Sequence, residues 1–167
     1  TAYMKDALEA GFNSLDSNAK AELLSFLAKV FNEGIPSTLG NPFLLGQSQT
    51  ESDPILVRVL TRYPKISGKD VLRDGGLLAH WYRNTNQTNK AKYFELMRKV
   101  VAKAIGDVEV VFVTPETVPA DIMAQPDFAS RGWFVHGGNT VYVLHPDFAG
   151  SGVDAELLLH ELTHSAL

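Results

Sequence analysis

The chain of 167 residues has no cysteine, which excludes disulfides and thiolate zinc sites and leaves its redox compartment undecided. It has no run of lysines and arginines, and its net charge is −4, so the basic footprint of a nucleic-acid-binding protein is missing. No stretch approaches the roughly eighteen consecutive apolar residues of a membrane span. The N-terminal residues also lack the basic start and apolar core of a signal peptide. Internal repeats and low-complexity segments are missing too. The expectation is a soluble chain with neither nucleic acid nor membrane as partner. With 45% hydrophobic residues it can bury a core, and its length favours one domain.

What is present is concentrated at the C-terminal end. His160-Glu161-Leu162-Thr163-His164 has the His-Glu-x-x-His spacing, inside a segment that reads as a helix. Residues four apart share a helix face, so two imidazoles can hold one metal ion while the glutamate beside the first reaches a water activated by that ion. A catalytic zinc takes three protein ligands and keeps a fourth position open, lowering the pKa of its water to about 7. A neighbouring carboxylate can take that proton and pass it to a leaving amine. Leu157, Leu158, Leu159 and Leu162 spread apolar character around the helix, which predicts a buried helix with its polar stripe facing a cleft.

Upstream, Arg131 to His136 and Thr140 to Leu144 read as two strands joined by Gly137-Gly138-Asn139, a hairpin. The loop from His145 to Gly152 follows, and Ser151 with Asp154 three residues later predicts a capping box at the start of the motif helix. With the hairpin and motif in place, residues 107–167 resemble the zincin metallopeptidases. The resemblance implies a motif helix packed under a small twisted sheet, an edge strand that holds extended peptide, His160 and His164 as Zn2+ ligands, and Glu161 as general base.

The pattern departs from the family at the third ligand. Leu167 stands where the extended pattern would place a glycine, which leaves the subgroup whose third ligand is an acidic residue on a later helix. Within the chain, His136 and His145 are the alternatives. Glu156 shares the stripe of His160 but lies about 12 Å along the axis from His164, too far to share an ion with it. The chain opens on Thr1 and stops inside a helix without a Gly or Asn cap, so it reads as one segment of a larger polypeptide.

The first two thirds, residues 1–106, read as helical. Ser17 is the expected N-cap of a helix burying Leu23, Leu24, Leu27, Val30 and Phe31 as far as Gly34. A loop follows to Ser52. Asp53-Pro54 opens a short helix through Leu60. Ser67 to Trp81 is expected to be helical, weakened by Gly75-Gly76, and Lys90 to Ile105 forms a helix burying Phe94, Met97, Val101 and Ile105. Trp81 and Tyr82 read as core anchors. Val108 to Val113 is a strand, and Pro115 to Gln125 a loop. The order of elements makes the fold α+β.

Two functions follow as expectations. One is zinc-dependent cleavage of a peptide or protein substrate. The other is a zincin-like structural or interaction domain that lacks the third ligand and has no activity.

Overall fold

The computed structural model describes residues 2–33, 52–114, 116–117, 120, 132–134, 138–145 and 153–167. The fold is α+β. Helices α1 (Ala2–Ser14), α2 (Ser17–Glu33) and α3 (Pro54–Arg62) precede strand β1 (Lys65–Ser67) and the single-turn helix α4 (Gly68–Leu72). Then come α5 (Thr88–Ala104), strands β2 (Glu109–Val113), β3 (Gly132–Phe134) and β4 (Thr140–Leu144), and the motif helix α6 (Ala155–Ala166).

Short-range chemistry accounts for the helix starts. The Asp53 carboxylate accepts the amides of Ile55 and Leu56, and Pro54 fills the first turn, where an N–H has no helical partner. At α2 the cap is Asp16 rather than Ser17: its Oδ1 accepts the Ala19 amide at 2.8 Å, and its other oxygen pairs with Lys92 of α5. The residue before the expected cap thus has both the geometry and a cation from another helix. Of the apolar set on α2, Leu23 and Val30 are buried, whereas Leu24 and Phe31 are exposed and Phe26 takes the core position.

The helix expected over Ser67 to Trp81 is confined to α4. Gly75 has φ of 76°, and a side chain at Gly76 would run into the Asp70 carbonyl, so the chain turns tightly there. Arg98 of α5 holds the turn from beneath. It donates to the Leu72 carbonyl, to Asp74 and to Glu95, and Glu95 also accepts the His80 amide. Those long-range bonds outcompete continuation of the helix. Trp81 and Tyr82 are half-buried against the core, as expected of anchors.

The sheet has the order β1-β2-β4-β3. The hairpin partners β3 and β4 are antiparallel, as the sequence implies, with Gly132 opposite Val143. In addition β4 lies parallel to β2, with Val110 opposite Val141, and the three-residue β1, which the sequence did not signal, caps the other edge. Alternation places Val110, Val141 and Val143 in the core, on the face covered by helices. The hairpin turn is described only at Gly138 and Asn139, and Ser151 of the expected capping box lies outside the described residues. Asp154 is itself the N-cap of α6, its carboxylate accepting the Leu157 amide at 2.8 Å.

Candidate metal centre

Helix α6 runs through the middle of the fold, in contact with α2, α5, β3 and β4. Nine of its twelve residues are buried. A twelve-residue helix is marginal by itself, so tertiary packing holds it. Each of Leu157, Leu158, Leu159 and Leu162, at 1% exposure or less, contributes about 1.5–3 kcal/mol by leaving water. That burial carries three polar side chains inside with it: His160, Glu161 and Thr163 are each 1% exposed. The Thr163 hydroxyl is satisfied by donating to the Leu159 carbonyl at 2.7 Å.

The two motif histidines lie side by side. Their ring centroids are 5.0 Å apart with the planes at 72°. Two imidazoles bound to one tetrahedral zinc at roughly 2.0–2.1 Å have centroids about 5 Å apart, a separation that this pair shares. His164 is half-buried and forms the more open flank. His160 meets the ring of Phe26 edge-on at 6.1 Å. The cover over His160 therefore includes α2, which the sequence did not bring to the motif.

Glu161 faces the sheet. A Cβ placed on Gly132 would lie 3.1 Å from Glu161 Cγ and 3.4 Å from its Oε1, so the edge strand β3 passes directly over the carboxylate. Gly132 is a site residue that the sequence reading passed over. Its signal was a glycine inside a strand, which marks close backbone approach.

The remaining candidates are not brought to the pair. His145 continues the β4 pairing, donating its amide to Val113, and its ring lies 4.9 Å from that of Phe112. Glu156 turns toward the helices: Tyr93 donates to it at 3.3 Å, and Lys29 and Lys90 stand at 3.8 and 3.5 Å. Burial, followed by the charge of Glu156, pushes the Tyr93 phenol far above its ordinary value, which keeps it a neutral donor. His136 lies outside the described residues. Among the described residues, no three His, Asp or Glu side chains gather as a metal-binding group.

Comparison of the chain with protein-family models, with curated proteins and with solved structures finds no match. Among the described residues, no helix is long and apolar enough to cross a membrane.

Proposed function

We propose that the chain carries the catalytic helix of a zinc-dependent peptidase acting on a peptide or protein substrate. The observation that supports it is the pairing of His160 and His164 at the spacing of two ligands on one tetrahedral ion. A zinc ion held there supplies Lewis acidity and lowers the pKa of a water to about 7. His160 and His164 would hold the ion through their ring nitrogens. Glu161, fixed between α6 and β3, accepts the proton of the attacking water on its carboxylate and delivers it to the amine that leaves when the peptide bond breaks. The backbone of β3, at the sheet edge beside Glu161, offers an extended substrate a line of hydrogen-bonding groups.

Zinc titration by calorimetry tests the reading. One zinc per chain, lost in both His160→Ala and His164→Ala and kept in His145→Ala, supports it. Zinc binding unaffected by both motif substitutions sinks it. A second reading, a zincin-like domain without activity, is favoured by the missing third ligand among the described residues. It is distinguished by zinc binding in the absence of any peptide cleavage.

A further inference from the structure

The sheet face turned away from the helices carries a cleft of about 500 Å3. Its floor is the cross-strand pair Val111 and Tyr142, directly opposite each other in register, with Val113 alongside. Lys65 extends that row from β1, since it pairs with Val111 on the other side. Arg62, Tyr63 and Lys65, at the junction of α3 and β1, form the wall. Tyr63 is 53% exposed, and the Arg62 guanidinium lies 5.7 Å from its ring centroid.

The charge in this cleft has one sign. Arg62 and Lys65 line it, and among the described residues no carboxylate does. Among the described residues neither cation has a salt-bridge partner. Glu109 stands two residues beyond Val111 on the same strand, exposed and outside the lining. In a chain whose net charge is −4, two cations without a counter-charge beside an apolar, aromatic floor form a distinct local environment.

We propose that this cleft binds a small aromatic anion, its ring on Val111 and Tyr142 and its carboxylate or sulfonate held by Arg62 and Lys65. The planar guanidinium matches a carboxylate with paired N–H groups, and hydrogen bonds between charged groups are the strong ones. A ring over Tyr142 gains stacking beyond its buried area. A neutral ligand would cover the two cations without compensating them, which disfavours it. The volume is within the 300–1,000 Å3 usual for small-molecule sites. The cleft is on the opposite sheet face from Glu161, so the proposal stands or falls separately from the peptidase reading.

Amide-resolved NMR titration of the whole chain with naphthoate, and with the neutral naphthalenemethanol, tests it. Naphthoate is expected to give saturating shifts at residues 62–65, 111–113 and 142. Loss of either charge partner should weaken binding by about tenfold or more, both for the alcohol on the native chain and for naphthoate on the Arg62→Gln/Lys65→Gln chain. Both side chains are at the surface, so the double variant should keep its spectrum away from the cleft. If it does not, Lys65→Gln alone carries the comparison. Scattered or unsaturable shifts, or equal binding of acid and alcohol, overturn the proposal.

Discussion

Gly132 and Glu161 are packed so closely that a methyl group on the glycine would lie 3.1 Å from the glutamate Cγ. Strand and helix thus meet closely at Glu161, and a side chain at position 132 requires the glutamate to give by a few tenths of an ångström. Gly132→Ala is expected to push β3 off α6 or swing Glu161 aside. Overpacking of this kind costs about 1–3 kcal/mol. Urea denaturation measures the cost, and peptide cleavage should fall at the same time. A variant as stable and active as the parent would show that β3 does not constrain Glu161.

Glu161→Gln keeps the shape of the side chain and removes its basicity. Peptide cleavage should drop by about 10²–10⁴-fold, the usual contribution of general acid–base assistance, while zinc binding survives. The two measurements are a cleavage assay on fluorogenic peptides and a zinc titration. Cleavage at the parent rate would exclude Glu161 as the base.

Phe26 is buried between Tyr93, at 5.8 Å between ring centroids, and His160, at 6.1 Å. Phe26→Ala should cost about 3–5 kcal/mol, typical for a buried phenylalanine. Phe26→Leu should cost less while still removing the ring that packs against the imidazole. In the leucine variant zinc affinity is expected to fall more than stability does. Equal zinc affinity in native and leucine chains would reduce Phe26 to a core residue.

Arg98 is 1% exposed and bonds Leu72, Asp74 and Glu95 together. Arg98→Met should destabilise by about 1–3 kcal/mol, since the Leu72 carbonyl and the partly buried Glu95 lose their donor. Arg98→Lys should recover only part, because one ammonium cannot reproduce the fork. The network also sets an acid limit. The Asp74 carboxyl is held below its ordinary 3.8, foremost by the hydrogen bond from Arg98. For Glu95, burial raises the value, but the bonds from Arg98 and from the His80 amide outweigh it and hold the group below 4.5. Both carboxyls titrate lower folded than unfolded. Their stabilisation is therefore complete above 4.5 and is lost as pH falls through the depressed folded values. Denaturation midpoints measured across that range should fall less steeply in Arg98→Met than in the native chain.

Local chemistry was the legible part of this sequence. Asp53-Pro54 announced α3, the β-rich run Thr140 to Leu144 announced β4, and four leucines around His160 announced a buried motif helix. What escaped depended on partners distant in the chain. Lys92 favours Asp16 over Ser17 as a cap, and Arg98 ends α4 by binding a carbonyl 26 residues earlier. The parallel pairing of β2 with β4 leaves no local mark, because both strands read the same beside any neighbour. Gly132 was visible as a residue but not as a contact, since the facing glutamate is 29 positions away on another element.

The entry to α6 is tied to the entry to α3: Asp53 donates its amide to the Val153 carbonyl at 2.7 Å, and Val153 donates in return to the Ser52 hydroxyl at 3.0 Å. This clasp closes a loop of about a hundred residues, and the entropy of closing a loop rises with its length. Contacts of such range slow the folding of the chains that need them. Placement of α6 against the rest of the fold therefore depends on a contact that spans most of the chain. A chain beginning at Asp107 would carry the motif and its Asp154 cap complete yet lack the clasp that ties the start of the helix to α3.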